Sequence, residues 1–267
     1  MKVALICPST SIASKNIQES LISLYPFEKK ENFYELDVKG KNVRIYSPPK
    51  ETIFLENIDK EIDGDLFIFP TTHSSRSGIH SLSAHVCGNW GKAELGGSDR
   101  ELCTAATLYI KESLIKLKEL SEGLEFDIVQ EVTHHGPYIE KPCFFIEIGS
   151  DETQWIRKDA GDILAKTIML LLENNPKNYK TAVGIGGLHT MPNFNKITFG
   201  DEIAIGHCCP KYMLDDLDEE LVRQALERTK PKADLVIVDW KGLGPHKEKI
   251  KKILEKIKVE WKRTKDF

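Results

Sequence analysis

Long apolar runs recur along the chain, and stretches with helical spacing of apolar positions separate them. Most runs are continuous, which is typical of strands buried on both faces of a parallel sheet. They lie at residues 1–8, 65–70, 126–132, 142–149, 181–187, 202–206 and 234–240. Apolar positions at helical spacing predict helices over residues 16–24, 99–120, 160–172, 216–228 and 247–257. This order predicts a single α/β domain over residues 1–267, built on one mixed, mostly parallel sheet flanked by helices.

Two segments depart from that alternation. Residues 33–46 predict a hairpin that turns at residues 39–42. Residues 71–98 contain one short alternating run, at residues 81–86, among many polar residues and glycines. A loop this long in a compact domain usually serves function, so residues 71–98 are predicted to form a functional loop region. No run of eighteen apolar residues occurs, so we expect no membrane span and a cytoplasmic protein.

Two adjacent histidines stand where the strand at residues 126–132 should end. They belong to the segment Thr133-His134-His135-Gly136-Pro137. Regular β geometry would point His134 and His135 in opposite directions, whereas Gly-Pro breaks the strand and allows the backbone to re-aim them. We therefore expect one of the two to act directly, with His134 preferred, and the other to support it.

Histidines also stand at the ends of other predicted strands. The full set is His73, His85, His134, His135, His189 and His207. Doubly wound α/β proteins bind ligands at the carboxyl ends of their strands, so these imidazoles are expected at a shared edge. Because imidazole binds zinc and titrates near neutral pH, the set predicts a metal site or an acid/base site. No HExxH or HxH spacing occurs, and a structural or surface role is equally plausible for each histidine taken alone.

The loop after the strand at residues 65–70 predicts ligand contact. His73 is followed there by Ser74, Ser75 and Arg76, which offer hydroxyls, amides and a guanidinium. These groups suit an anionic or sugar-like ligand. A polar surface loop without a ligand would explain the same residues.

Two acids lie in or next to predicted strands. Glu147 interrupts an otherwise apolar strand, and Glu131 directly precedes the histidine segment. A buried carboxylate has a raised pKa or a partner, which makes Glu147 a candidate base or a support for a metal ligand. A position at the solvent-facing rim is an equally plausible alternative for both acids.

The glycines at residues 184–187 only superficially resemble a dinucleotide fingerprint. The GxGxxG spacing is absent, because His189 occupies the position of the last glycine. We therefore expect neither a nicotinamide nor a flavin cofactor. Gly186 and Gly187 more plausibly let a substrate approach the backbone closely.

Charge is distributed unevenly along the chain. The net charge is −4, which argues weakly against a nucleic-acid partner. Residues 246–267 form a predicted basic helix and tail, with nine basic and four acidic residues from Lys247 onward. Lysines on the outer face of this helix suggest contact with phosphates, although solvation alone would also account for them. The six cysteines show no CxxC pair and are expected to be free thiols.

Taken together, several motifs resemble a known family, the archaeal and plant-type D-aminoacyl-tRNA deacylases. The matching segments are residues 73–78, 82–85, 88–90, 133–137, 143–149, 182–189 and 199–210. The family usually carries Gly-Gly-Gly-His-Tyr where this chain has Gly186-Gly187-Leu188-His189-Thr190. The resemblance implies a zinc-dependent hydrolase with a phosphorylase/hydrolase-like α/β fold. Its reaction would free tRNA and a D-amino acid from mischarged D-aminoacyl-tRNA.

Chemistry then suggests a role for each candidate residue. His73, His134 and His189 are predicted to hold Zn²⁺, with His135 or Glu147 as the base. The amides of Gly186 and Gly187 are predicted to bind the oxyanion. The predicted substrate-binding residues are Ser74, Ser75, Arg76, His85, Asn89 and His207. The lysines of the C-terminal helix would contact the acceptor stem of the tRNA, and the protein is expected to be a monomer.

Two other classes of function remain open from the sequence. One is a different hydrolase on the same fold, such as a zinc amidopeptidase or a nucleoside-cleaving enzyme. The other is a tRNA-binding module without catalytic activity, which would bind tRNA in a salt-sensitive way and leave the ester intact.

Overall fold

The computed structural model describes residues 1–75 and 78–267. Within these residues the strands are β1 (Lys2–Ile6), β2 (Glu28–Lys29), β3 (Tyr34–Val38), β4 (Lys41–Tyr46), β5 (Leu66–Thr72), β6 (Ser81–His85), β7 (Ala105–Ala106), β8 (Asp127–Gln130), β9 (Cys143–Gly149), β10 (Lys180–Ile185), β11 (Ile203–Cys209), β12 (Thr229–Lys230), β13 (Leu235–Val238) and β14 (Glu260–Arg263). The α-helices are α1 (Ile12–Leu24), α2 (Ile58–Glu61), α3 (Thr107–Leu120), α4 (Glu152–Trp155), α5 (Lys158–Glu173), α6 (Pro192–Gly200), α7 (Glu219–Arg228) and α8 (Lys247–Ile257).

The strands form two sheets in the described part of the chain. The first has the order β12-β7-β9-β5-β1-β4-β3-β2, with β6 pairing with β9 and β8 pairing with β6. Its pairs are parallel except for β2 with β3, β3 with β4, and β6 with β9. The second sheet has the order β11-β10-β13-β14, and all its pairs are parallel. The predicted α/β class, with mostly parallel strands flanked by helices, is confirmed.

The expectation of one sheet is wrong, because the strands after β9 do not extend the first sheet. The edge of β9 is taken by antiparallel β6 along residues 145–149 and by β7 at Cys143. The parallel set that begins with β10 therefore builds a sheet of its own, and only the short β12 returns to the first. Whether residues 1–267 act as one domain stays a prediction.

Most element boundaries agree with the apolar pattern, but α3 begins later than predicted. The predicted helix covered residues 99–120, whereas α3 begins at Thr107. The residues before it are held in other ways: the amide of Leu102 donates to Gln224 Oε1 at 2.6 Å, and Ala105 and Ala106 form β7. In the described ranges no helix is both long and apolar enough to cross a membrane.

A buried lysine ties α3 to the second sheet. Lys111 is 2% exposed, and its Nζ donates to the carbonyls of Thr198, Asp201 and Ile203 at 2.6, 2.6 and 2.9 Å. These carbonyls lie at the end of α6 and the start of β11. Burial lowers the pKa of Lys111, so its three acceptors are what keep this ammonium in the interior.

We expect Lys111→Met to destabilise the fold, because three buried carbonyls would lose their donor. Unsatisfied buried groups cost about 1–3 kcal/mol, which corresponds to a fall of roughly 2–10 °C in Tm for a chain of this size. Thermal unfolding followed by circular dichroism measures the change. Lys166→Met, at an exposed position on α5, is the matched control, and equal Tm values for the two variants would contradict the assigned role.

One face of the first sheet provides the floor of the candidate site. Glu147 on β9 is in register with Thr71 on β5 and with Ser83 on β6. His85 is in register with Phe145, two residues earlier on β9. Partners in register and residues two apart share a face of a sheet, so these side chains all point to the same side.

Candidate active site

The segment that carries the histidine pair is a tight turn, not a continuation of β8. His135 has a φ of +46°, in the left-handed region, and His134 forms an isolated parallel bridge with Cys87. A Cβ added to Gly136 would lie 2.5 Å from the Ile53 carbonyl oxygen, so a larger residue does not fit there. The glycine is therefore required by the close approach of residue 53.

The two histidines of this turn belong to one cluster, so the backbone re-aims them and the opposite orientation of regular β geometry does not occur. Their ring centroids lie 4.3 Å apart. His85 packs against both, at 4.4 Å from His134 and 5.1 Å from His135. The left-handed backbone at His135 breaks the strand alternation, which turns both rings to the same side.

Glu131 is the point where the three predicted metal ligands meet. Its Oε2 lies 3.0 Å from His189 Nε2, 3.2 Å from His73 Nδ1 and 3.8 Å from His134 Nε2. The residue is 1% exposed, so the alternative of a rim position is excluded for it. Burial opposes ionisation of Glu131, but hydrogen bonds from His189 and His73 hold its pKa well below the usual range.

Glu147 is the second buried acid of the cluster. It is 2% exposed, which also excludes the rim position. Its Oε2 lies 3.6 Å from His73 Nδ1, and its Oε1 lies 3.6 Å from His85 Nε2. Burial lowers the pKa of His73, but the two carboxylates overcome this and raise it to about 10. The two carboxylates thus favour the protonated form of His73, which lies beside both of them.

Three imidazoles have their tautomer fixed by backbone carbonyls. Nδ1 of His134 donates to the Val132 carbonyl at 2.8 Å, and Nδ1 of His135 donates to the Gly136 carbonyl at 2.5 Å. His85 Nδ1 lies 3.2 Å from the Val86 carbonyl. A carbonyl cannot donate, so each Nδ1 carries the proton and each Nε2 keeps a free lone pair. Burial, together with neighbouring imidazoles, lowers the pKa of His134 well below its usual range and that of His135 to about 4.

The cluster is suited to a metal ion. Three of its subsets bring one ligand atom of each residue within 4.8 Å of the others: His73 with Glu131 and His189, His85 with His134 and His135, and His85 with Glu131 and Glu147. Nε2 of His85 and Oε1 of Glu131 are buried without a hydrogen-bond partner. Buried orphan atoms are costly unless something binds them, and a cation would satisfy both. Two histidines and a glutamate also form a known ligand set for catalytic zinc.

Comparison with known proteins agrees with the family predicted from the sequence. The family model described as D-aminoacyl-tRNA deacylase matches residues 60–262. The D-aminoacyl-tRNA deacylase of Thermococcus kodakarensis is 36% identical over 272 residues, covering 98% of this chain and 99% of the relative. The chain belongs to the D-aminoacyl-tRNA deacylase family.

Further relatives and one solved structure extend this finding. The D-aminoacyl-tRNA deacylase of Pyrococcus horikoshii is 36% identical over 262 residues, covering 93% of this chain and 95% of the relative. The crystal structure of a conserved protein of unknown function superposes with a TM-score of 0.90 at 28% identity. It covers all of this chain and 96% of its own. The fold of this D-aminoacyl-tRNA deacylase family member is therefore shared over its whole length.

Two residues predicted to contact substrate are instead built into the protein interior. His207 is fully buried, and its Nε2 lies 2.9 Å from the Cys103 carbonyl and its Nδ1 3.1 Å from Thr133 Oγ1. Asn89 donates from Nδ2 to the Gly96 carbonyl at 2.9 Å and holds its own loop. His207 has no free ring nitrogen left for a ligand, so it supports the residue that precedes His134.

His85 is also placed differently from its prediction as a substrate-binding residue. It is fully buried beneath the histidine pair. Its ring stacks on Phe145, with centroids 5.1 Å apart. Solvent and substrate cannot reach it, so its free Nε2 faces only the interior of the cluster.

The two glycines predicted to bind an oxyanion do not offer amides to the cluster. The Gly186 amide donates to the Cys209 carbonyl at 2.8 Å. Both glycines have positive φ, at +96° and +87°, and both pack against Asp239; Gly186 also lies against Leu243, and Gly187 against Phe194 and Gly242. The prediction is therefore wrong for Gly186, and Gly187 faces another part of the protein.

The serine loop after β5 is only partly described. Ser74 is exposed and lines a cavity beside the cluster. The Ser75 amide donates to the Ser150 carbonyl at 3.0 Å. The predicted role of Arg76 falls on a residue outside the described ranges.

Two residues of the site carry little or no signal in the sequence alone. The sequence leaves Glu131 open between a site residue and a rim position, although an acid at a strand end three residues before His134 favours a site. Tyr212, whose hydroxyl lies 3.2 Å from His189 Nδ1, gave no local signal because its contact depends on the packing of a distant loop.

Proposed function

We propose that this protein hydrolyses the ester bond between a D-amino acid and the terminal ribose of tRNA. The observation that carries the proposal is the convergence of His73, His134 and His189 on Glu131 in a member of this family. An aminoacyl ester is already activated, so a positioned water, a base and a stabilised oxyanion suffice for its hydrolysis. The cluster supplies a candidate base and candidate ligands for a cation, which would position the water and stabilise the oxyanion.

In this proposal His73, Glu131 and His189 would hold a zinc ion. Their ligand atoms lie within 4.8 Å of one another, and the buried Glu131 supplies negative charge for a cation there. When bound, zinc lowers the pKa of water to about 7 and polarises a carbonyl group. The preference for zinc over magnesium rests on the imidazole ligands.

His134 would act as the base, which differs from its predicted role as a ligand. Its Nε2 is unprotonated and lies farther from Glu131 Oε2 than the nitrogens of His73 and His189 do. It takes a proton from the attacking water, whose oxygen bonds to the ester carbonyl carbon. The carbon–oxygen bond to the ribose then breaks, and His134 returns the proton to the leaving ribose oxygen. Burial is the main cause that keeps His134 neutral, and His135 packs against its ring.

The proposed contact with tRNA would use exposed lysines of the C-terminal helix and of the residue that follows it. Lys251, Lys252, Lys256 and Lys258 are exposed. Lys249 instead donates to the carbonyls of Leu214 and Asp215, both at 2.7 Å. We propose that the exposed lysines lie along the acceptor stem. A cytoplasmic location, a monomeric state and the absence of nicotinamide or flavin cofactors stay predictions.

Deacylation of D-Tyr-tRNA by the purified protein tests the proposed activity. We expect hydrolysis of D-Tyr-tRNA, little hydrolysis of L-Tyr-tRNA, and a loss of at least ~10²-fold in kcat for His134→Ala, the usual scale of acid/base catalysis. His246→Ala, at a histidine outside the cluster, is the control. Near-normal turnover by His134→Ala would remove this residue from the chemistry.

Other substrates separate the remaining functions. Turnover of a free peptide or nucleoside faster than D-Tyr-tRNA would favour another hydrolase. Salt-sensitive binding of tRNA without ester cleavage would indicate a binding module. Either result would overturn the proposed activity.

A further inference from the structure

A cavity of about 370 Å³ lies beside the histidine cluster. His135 and Glu147 belong both to the cluster and to the lining of this cavity. Its other walls include residues 10–12, which follow β1, and residues 51–53. We call this cavity the side chamber.

Part of the side chamber is lined by hydroxyl groups that bind one another. Ser11 Oγ lies 2.9 Å from Thr72 Oγ1, and Thr52 Oγ1 lies 3.1 Å from Thr71 Oγ1. Hydroxyls paired in this way hold the ends of β5 and the loop after β1 in fixed positions. This wall is polar and uncharged.

The remaining walls are largely apolar. They are formed by Ile12, Ile53, Phe145 and Trp155. The Trp155 indole donates from Nε1 to the His73 carbonyl at 3.0 Å, which fixes the ring relative to the cluster. Sites for small organic groups range over about 300–1,000 Å³ and are mostly apolar with a few polar groups. The side chamber lies near the lower end of this range, which suits a single amino-acid residue.

The charge of the side chamber is unfavourable for phosphate. Glu51 and Glu147 are acidic, and no lysine or arginine of residues 1–75 and 78–267 lines it. Carboxylates repel the phosphates of tRNA and attract the α-ammonium group of an aminoacyl ester. The aminoacyl end is therefore the part of the substrate that matches the chamber.

We infer that the side chamber is the aminoacyl subsite, in which Glu51 attracts the α-ammonium group and Ile53 and Trp155 contact the side chain of the D-amino acid. This inference rests on the proposed ester hydrolysis at the histidine cluster. It assigns the selection of the amino acid to residues 10–12 and 51–53, which lie outside the motifs of the family resemblance. It also separates this selection from binding of the tRNA backbone, which the basic C-terminal helix would provide.

Filling the side chamber is the first test. Ile53→Trp narrows the cavity, so kcat/KM for D-Tyr-tRNA should fall at least ~10-fold relative to that for D-Ala-tRNA, within the 10–200-fold range of steric discrimination. Ile156→Trp is the matched control, because residue 156 is 62% exposed and does not line the chamber. An unchanged ratio between the two substrates would overturn the inference, whether or not both rates fall.

Removing the charge of Glu51 is the second test, and it is useful even if Ile53→Trp does not fold. Glu51 is exposed, so Glu51→Gln should leave Tm unchanged. It should raise KM for D-Tyr-tRNA several-fold and leave KM for N-acetyl-D-Tyr-tRNA unchanged, since acetylation removes the ammonium charge. Glu61→Gln, at an exposed acid on α2, is the control.

The two proposals fail in different ways. Equal effects of Glu51→Gln on the free and the acetylated substrate would contradict the aminoacyl subsite while deacylation by the wild-type protein still stands. A wild-type protein that cleaves neither D-Tyr-tRNA nor D-Ala-tRNA would instead contradict the proposed function.

Discussion

Replacing Glu131 with glutamine is expected to lower kcat/KM for D-Tyr-tRNA by at least ~10²-fold, the lower end of the range for lost acid/base function. The carboxylate lies within 3.8 Å of a ring nitrogen in each of His73, His134 and His189. An amide keeps the volume of the side chain but carries no charge, so it cannot balance a protonated His73 or hold a cation. Steady-state deacylation assays measure the loss.

The control for this variant is a buried glutamate outside the cluster. Glu112 is 8% exposed, and its Oε1 accepts a hydrogen bond from the Tyr179 hydroxyl at 2.6 Å. Glu112→Gln tests whether loss of any buried carboxylate disturbs activity through the fold. If Glu131→Gln retains activity within about threefold of the wild type, the central role of Glu131 is refuted.

Removing metal from the protein with a chelator is expected to abolish deacylation to a similar extent, and zinc should restore it. Without a cation, Glu131 Oε1 is buried and unpaired, so the metal-free protein should also be less stable. A ligand at 100 times its Kd adds about 2.7 kcal/mol of stability, or roughly 5–10 °C in Tm for a chain of this size. Magnesium should not substitute, because it prefers oxygen ligands.

A measurement of bound zinc must also show where the zinc binds, because the protein has a second group of potential ligands. Cys87, Cys103 and Cys143 are buried free thiols whose sulfur atoms lie within 4.8 Å of one another. Elemental analysis should find that Glu131→Gln loses zinc and that Cys143→Ser keeps it. The reverse result, or full activity in metal-free protein, would refute a catalytic zinc at the histidines.

The apolar pattern predicted most of the fold because parallel strands and amphipathic helices have distinct repeats. It placed β1, β5, β9 and α8 close to their observed positions. It did not predict that the strands divide into two sheets, because pairing between strands leaves no local mark in the sequence. The late start of α3 has a similar cause: contacts of Leu102 with a distant glutamine override its helical spacing.

The sequence predicted most of the residues that form the candidate site, but only part of their arrangement in space. Histidines at strand ends meet because the carboxyl ends of neighbouring strands lie together, which is a general property of such sheets. The same rule assigned Gly186 and His207 to the site, yet their polar groups are engaged by the backbone of the protein itself. The sequence shows which polar groups a chain contains. It does not show which of them already have hydrogen-bond partners within the fold.

The sequence by itself determined the family, the α/β class and the set of histidines from which the site is built. Only the tertiary structure decided that Glu131 lies at the centre of the cluster, that His135 turns its ring beside His134, and that a chamber without basic side chains among its described residues adjoins them. The physical reason is that the cluster joins residues far apart in the chain, such as His73 and His189. Their distances follow from how strands and loops pack, which no local pattern specifies.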